Sequence, residues 1–445
     1  MQAPPMRRPP GGPRRPGGGG WRAAFASLEN RQYRWLFASN MAFFLAMQGQ
    51  MLVRSMITYE LTESPLDLGL VNFAVAIPMM LASPFGGVVA DRIERRQLIL
   101  IGQGLLVTSE ATIFTLLITG VLQFWHLIVA ATLMGCIFPF TMPARTAIVV
   151  NIIGKRGLQN AMALSMGGMN ATRILGPTIS GLLVPLVGLA GALSFGITLY
   201  IVAFLCIFGV KRSRPEKTAR DKSVLSDLVE GFRYMAHNRL VLALMVFGIL
   251  PMFLAMPFQT LLVIFTEDVW AVGASGLGLL YTISGIGGLL GSIYVAQLNE
   301  RRGRLRTMIV TLVGFSSFLF AFALSPWFLL ALPLVLIANV FSSVFGTLNN
   351  TAIQVLIPDS VRGRVSSFMM MSFGITPLGT LPMAAVAERY GAPTAVAIAA
   401  ILVLVVTVAF YVGSASLRSV DARTREALEA EDREAAAATP VAAGS

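Results

Sequence analysis

Charged residues in this chain occur in short clusters, separated by apolar runs of about 20 residues, the length that crosses a bilayer as a helix. Hydrophobic residues make up 55% of the 445 positions and charged residues 13%, against about 25% charged residues in soluble proteins. The sequence therefore predicts an all-α polytopic membrane protein.

Twelve runs are predicted to span the membrane. In chain order they cover 35–59, 67–90, 98–119, 125–147, the region from about 160, 190–210, 241–266, 275–298, 306–325, 327–349, 365–387 and 392–414. A polar stretch at 211–240, with a predicted amphipathic helix from Val224 to Met235, interrupts them after the sixth. It divides the spans into two six-helix bundles at 31–210 and 241–415.

Both ends of the chain are polar. Residues 1–30 begin with a run of proline, glycine and arginine that has no apolar face to bury, so we expect a disordered tail. Residues 416–445 are predicted to form a second tail.

Lysine and arginine are distributed unequally between the two sides. Thirty of the 34 fall in the two tails and in the turns after even-numbered spans; the other four are Arg54, Arg145, Arg173 and Arg389, of which only Arg389 lies in a turn of the opposite set. Because cytosolic loops carry the excess of positive charge, we expect both termini in the cytoplasm. The net charge of +12 is thereby explained without a nucleic-acid partner.

The residues that commonly carry enzyme chemistry are sparse. Cys136 and Cys206 both fall within predicted spans, while His126 and His237 are far apart in the sequence. No disulfide framework, metal site, phosphate loop or cofactor is predicted, which argues against an enzyme.

The turn after the second span carries the most specific motif, Gly87-Val88-Val89-Ala90-Asp91-Arg92-Ile93-Glu94-Arg95-Arg96. Its spacing resembles the signature between helices 2 and 3 of the major facilitator superfamily, with Glu94 where that family usually has a second glycine. Glu300–Arg304, after the second span of the second half, resembles a degenerate copy. The resemblance implies twelve helices in two pseudo-symmetric bundles. The alternative is an ordinary positively charged cytosolic turn.

The same resemblance gives the turn a gating role. Gly87, Asp91, Arg92, Arg95 and Arg96 match the signature, and in this family such a turn implies a latch between the cytosolic ends of the halves in the outward-facing state.

The fifth span contains Arg173, Gly176, Pro177 and Gly181. This segment resembles the Gly-Pro motif of proton-driven antiporters in the superfamily, which implies a helix that stops protons leaking when the cargo site is empty. Small residues at 176 and 181 should let a neighbouring backbone approach closely. A plain proline kink is the alternative.

Several phrases narrow the resemblance further: Leu61-Thr62-x-Ser64-Pro65-x-x-Leu68-Gly69, Pro143-Ala144-Arg145, Asn160-Ala161 and the Arg173–Pro177 segment. They are similar to the branch of enterobactin exporters and macrolide efflux proteins. The resemblance implies exchange of a proton for a hydrophobic, siderophore-like or drug-like solute, exported across a bacterial inner membrane by a monomer. An uptake permease of the same fold, a non-transporting receptor and a membrane enzyme are the alternatives.

Residues spaced by three or four on the first span form one helix face, and in the superfamily helices 1, 4, 7 and 10 line the central cavity. The candidate cavity residues are Asn40, Phe44, Met47, Met51, Arg54, Met252, Met256, Gln259, Asn339 and Phe345. Methionine adapts to bulky cargo, although any one of these could instead serve as packing filler.

Four charges lie within spans, and Glu110 is the acid placed deepest. Burial disfavours the charged form of a carboxylate, as a cycling proton carrier requires, so Glu110 is the candidate proton site. Alternatively, Glu110 pairs with an arginine such as Arg173, and Glu267 or Asp268 carries the proton. Arg145 is either functional or extends its side chain to the headgroups.

Overall fold

The computed structural model describes residues 25–212, 233, 237–298, 303–357, 365, 376–426 and 429. The predicted amphipathic helix at 224–235, most of the Glu300–Arg304 turn and the first part of the predicted eleventh span lie outside these residues. The described chain consists of helices and short turns.

The first half begins with three antiparallel helices: α1 Arg31–Thr62, α2 Pro65–Arg92 and α3 Arg95–Ile118. The helical stretch Phe124–Phe208 follows, and its backbone leaves helical torsion angles at Gly154 (φ 68°, ψ 178°) and Gly188 (φ 72°, ψ 176°). Glycine adopts a positive φ without steric cost, so the chain can reverse at these two positions. They divide the stretch into α4 (124–153), α5 (155–187) and α6 (189–208).

The second half repeats this arrangement. Its helices are α7 Arg239–Val269, which is interrupted at 255–257 and ends in a π-helical turn, α8 Gly273–Gln297, α9 Arg304–Ala323, α10 Phe328–Leu356, α11 Thr380–Tyr390, α12 Ala392–Gly413 and the short α13 Ala415–Arg418.

Ten described helices are long and apolar enough to cross a membrane. One of them, Gly157–Phe208, is 52 residues long and is divided by Gly188, so it supplies two crossings. Together with α11, these helices account for the predicted twelve, and the all-α polytopic fold is confirmed.

Ordered structure extends past both predicted tail boundaries. At the N-terminal side, Ser27 Oγ donates to Asn160 Oδ1 (2.6 Å), and the Asn30 side chain caps α1 by accepting from the Gln32 and Tyr33 amides. At the C-terminal side, Leu417 and Val420 are buried, and Asp421 Oδ1 accepts from the Leu305 amide at the start of α9 (3.0 Å). These segments are held because they bury apolar groups and cap helix ends.

The two halves meet along two helix pairs, α5 with α8 and α2 with α11. A methyl group on Gly181 would lie 2.7 Å from Cα of Gly278, so no side chain separates the backbones of α5 and α8. A methyl group on Gly69 of α2 would lie 2.7 Å from Cβ of Ala384 on α11.

The α5–α8 contact covers only part of each helix. It continues from Gly181 and Gly278 to Ile174 and Gly285. Further along α8, a methyl group on Gly288 would meet nothing within 4 Å. Along the described residues of this pair, the halves therefore touch near the end that carries the turn at 63–64, which we call the closed end, and separate toward the other.

Candidate functional site

An ion pair lies inside the first half. Nη2 of Arg54 on α1 donates to Oε1 of Glu110 on α3, and the two side chains are 13% and 3% exposed. The expectation of an arginine partner for Glu110 is met, but the expected partner Arg173 is wrong, because Arg173 is an exposed residue of α5.

The pair has polarizable and aromatic neighbours. Arg54 Nη1 lies 3.9 Å from Met134 Sδ on α4, and the buried Tyr200 of α6 lies within electrostatic range of both charges. The Tyr200 ring contacts Phe43 of α1 at 5.7 Å between centroids. Four helices of the first half therefore enclose the Glu110 carboxylate, and water has little access to it.

A second buried cation, Arg145 of α4, contacts the Phe43 ring. It is 3% exposed, its Nη1 donates to Asn40 Oδ1, and its guanidinium stacks 4.3 Å from the Phe43 ring centre. Nε and Nη2 have no hydrogen-bond partner among the described residues. Arg145 therefore points into the bundle and does not extend to the headgroups.

The predicted cavity residues fall into two groups. Asn40, Phe44, Asn339 and Phe345 are buried. Asn40 accepts the Arg145 hydrogen bond, Asn339 Nδ2 donates to its own helix at Val335 O (2.9 Å), and Phe345 packs on Phe247 at 5.4 Å. In this arrangement Asn40, Asn339 and Phe345 therefore make their contacts within their own halves. The others are partly buried or, for Met51, 43% exposed: Met47, Met51, Arg54, Met252, Met256 and Gln259.

The gating turn is short, since α2 ends at Arg92 and α3 begins at Arg95. The side chain of Asp91 and the surroundings of Gly87 lie outside what the structure describes. Arg96 donates through Nε to Ile207 O (3.2 Å) and through Nη2 to Phe208 O (3.3 Å). A cation at the last carbonyls of a helix interacts favourably with its dipole, so Arg96 anchors α6 within the same half.

The helix-5 motif contacts two other helices. A methyl group on Gly176 would lie 2.9 Å from the Gly49 amide nitrogen of α1, while Gly181 meets Gly278 of α8. The predicted close approach at both small residues is confirmed. The backbone keeps helical torsion angles through Pro177, and Arg173 is exposed.

Polar contacts join the halves at the closed end, and the sequence did not reveal them. Glu388 Oε2 of α11 accepts from Ser64 Oγ (3.0 Å) and from the Leu66 amide (3.1 Å), so it caps the N-terminus of α2. Tyr59 donates to Asp268 Oδ2 at the end of α7. Only weak signals in the sequence could have indicated these contacts. They are a serine before proline at a helix start, and acids at helix ends that lie more than 200 positions from their partners.

Comparison with known proteins agrees with this architecture. The family model for transmembrane secretion effectors matches residues 22–441. The staphyloferrin A transporter of Staphylococcus aureus is 27% identical over 356 residues, which cover 77% of this chain and 86% of the relative. The multidrug efflux pump Tap of Mycolicibacterium fortuitum is 26% identical over 343 residues, covering 74% and 82%.

The enterobactin exporter EntS of Shigella boydii is 25% identical over 320 residues, which cover 70% of this chain and 73% of the relative. Two crystal structures share the fold. The nucleoside transporter NupG superposes with a TM-score of 0.69 at 17% identity, covering 86% of this chain and 98% of the other. A bacterial homolog of the human lysosomal transporter Spinster gives 0.65 at 14% identity, covering 92% and 99%.

The match of the family model spans nearly the whole chain, and three similar relatives carry names of transporters or exporters. The chain belongs to the transmembrane secretion effector family, in the siderophore and drug efflux branch of the major facilitator superfamily of membrane transporters.

Proposed function

We propose that this protein is a proton-coupled antiporter that exports a hydrophobic, siderophore-like or drug-like small molecule from a bacterial cytoplasm by alternating access. The buried Arg54–Glu110 pair is the observation that carries the proposal. Members of the family are transporters and not enzymes. The names of the exporter relatives support the outward direction.

Glu110 is the proposed proton site. The Glu110 carboxylate is 3% exposed, and the close Arg54 cation offsets the cost of burying its charge. Protonation of Glu110 would remove the attraction that holds Arg54, and the pair would separate. A proton taken up on one side of the membrane can thus change the packing of α1 against α3.

The arrangement of the halves supports alternating access. The end where α2 meets α11 and α5 meets α8 is the end that the distribution of lysine and arginine assigns to the outside. We therefore interpret the structure as inward-facing, with both termini cytosolic. In the outward-facing state Asp91 would latch the cytosolic ends, together with the exposed Arg92 beside it.

The test is the accumulation of the dyes rhodamine 123 and fluorescein in cells with and without the protein, before and after an uncoupler. Export predicts lower accumulation of at least one dye when the protein is present, and the uncoupler should abolish the difference. Higher accumulation in the presence of the protein would indicate an uptake permease instead. No difference for either dye would contradict multidrug export.

The variant Glu110→Gln separates the roles of the acid, because glutamine resembles the protonated form. A proton carrier predicts loss of uncoupler-sensitive efflux per folded molecule, while the protein that remains folded still binds dye. Glu29→Gln is the matched control, since Glu29 is an exposed acid outside the bundle. Normal efflux per folded molecule by Glu110→Gln would exclude Glu110 as the carrier and leave it the structural role of pairing with Arg54.

A further inference from the structure

Arg173 lies deep in the membrane-spanning part of α5. It is 19 residues from Gly154 and 15 from Gly188, the two positions where the helix breaks. At 1.5 Å per residue these separations are about 28 and 22 Å. The residue is nevertheless exposed. Both breaks of the helix therefore lie well beyond the reach of the Arg173 side chain.

The exposed side chain of Arg173 lies on the face of α5 opposite the face that contacts lipid. Successive helix residues are turned by about 100°, so positions 173 and 175 point to opposite sides with Ile174 between them. Ile174 contacts Gly285 of α8. The side of Leu175 continues through Leu182 and Leu186, all large, apolar and exposed, as expected of a surface facing lipid.

The side of Arg173 has a different character. Met166 and Met169, seven and four positions earlier, share the face of Arg173 and are 57% and 39% exposed. An exposed guanidinium in hydrocarbon costs at least about 2.5 kcal/mol. This face lies between the contacts that α5 makes with α1 and α8, so it borders the space between the two halves on the side away from lipid.

Arg173 also differs from the other two arginines within spans. Arg54 is paired with Glu110, and Arg145 is buried against Asn40 and Phe43. No ion pair joins Arg173 to any acid among the described residues. The positive charge on this face is therefore available to a ligand.

We propose that the transported solute carries an anionic group, of the carboxylate type, and that Arg173 binds it in the central space. This inference rests on the proposed transport function and narrows its substrate class. The planar guanidinium offers donors in a fork that matches a carboxylate. Met166 and Met169 provide an adaptable apolar surface beside it, so the solute is an amphipathic anion.

Binding of two dyes to the purified full-length protein tests the charge preference. Fluorescein and rhodamine 123 share a xanthene ring, but fluorescein is an anion with a carboxylate and rhodamine 123 is a cation. Fluorescence anisotropy should show tighter binding of fluorescein by the wild type. Arg173→Gln should weaken fluorescein binding about 10- to 100-fold, the range for loss of a charged hydrogen bond, without weakening binding of rhodamine 123.

Two further variants complete the test. Arg173→Lys keeps the charge but loses the fork, so it should retain intermediate affinity for fluorescein. Arg389→Gln removes an exposed arginine outside the spans and should bind as the wild type does. Thermal unfolding of each variant verifies that it is folded.

Wild-type protein that binds fluorescein no more tightly than rhodamine 123, or binds neither dye, would overturn the anion site. So would a folded Arg173→Gln variant with unchanged preference. If the anion site failed this test but cells still exported rhodamine 123 in an uncoupler-sensitive manner, the proposed transport function would be supported without the anion site. Arg173-dependent binding without export would instead contradict the transport function and keep the site.

Discussion

At the scale of single residues, the Arg54–Glu110 pair illustrates why a charge in the membrane requires a partner. Removing an ion from water costs several kcal/mol, and only a close opposite charge offsets that cost. Both members lie inside a four-helix environment in which Glu110 is 3% exposed. The pair itself is therefore weak support for stability, whereas either charge alone would be strongly destabilising.

This asymmetry gives a prediction for paired substitutions. Arg54→Gln or Glu110→Gln alone leaves one uncompensated buried charge and should cost about 3–5 kcal/mol. The double variant removes both charges and should recover most of that loss. Thermal unfolding of the detergent-purified variants measures the difference as a double-mutant cycle. Additive losses in the double variant would show that the two side chains do not depend on each other.

At the scale of helices, α5 is the element of the first half that packs against α8 of the second half. Its glycines allow α1 to approach at Gly176 and α8 to approach at Gly181, where the opposing atoms belong to the α8 backbone. Helix association in membranes relies on such close packing because lipid offers no hydrophobic driving force between helices. The helix-5 motif thus joins the two halves in this arrangement, whatever its part in proton coupling.

Two glycines of α5 make a matched pair of variants. Gly181→Ala would place a methyl group 2.7 Å from the Gly278 backbone and should cost about 1–3 kcal/mol, with reduced transport. Gly167→Ala meets nothing within 4 Å and should be neutral or stabilise the helix by up to about 1 kcal/mol. Unfolding temperature and dye efflux measure both effects. Equal behaviour of the two variants would contradict the role of Gly181 at the α5–α8 contact.

At the scale of the whole molecule, the polar contacts at the closed end must break whenever that end opens. Glu388 holds the N-terminus of α2 from the opposite half, so its substitution should favour the open arrangement. Glu388 is exposed, and solvent screening limits such a contact to about 1 kcal/mol, or about a fivefold change in population.

Cysteine labelling measures that change. Thr380 of α11 is buried against Gly69 O (3.4 Å), so Thr380→Cys reports on the closed end once Cys136 and Cys206 are replaced by serine. Adding Glu388→Ala should increase labelling by a membrane-impermeant maleimide several-fold. Glu63→Gln, an exposed acid in the turn before α2, should leave labelling unchanged. Equal labelling of Thr380→Cys by itself, with Glu388→Ala and with Glu63→Gln would show that Glu388 does not stabilise the closed end.

The orientation of the whole bundle is a separate prediction. Gly120, Gly188 and Gly273 occupy turns with positive φ at the closed end. Reporter fusions at these positions should read outside, and fusions at Lys217 and Ser360 should read inside. An inside signal at Gly188 would contradict the division between α5 and α6 as two crossings.

The sequence by itself determined the twelve helices, their division into two halves, the family and the close approach at Gly176 and Gly181. These properties follow from run length, charge clusters and residue size, which are local and periodic along the chain. The choice of Glu110 followed in the same way from its position deep within a predicted span, where a buried acid is expected to have an arginine partner.

Only the tertiary structure decided which residues meet. Arg54 and not Arg173 pairs with Glu110, Arg145 turns inward to Asn40, and Glu388 caps a helix of the other half. Each of these contacts joins residues between 56 and 324 positions apart. Periodicity places a side chain on a helix face, but the rotation and packing of neighbouring helices determine what that face meets.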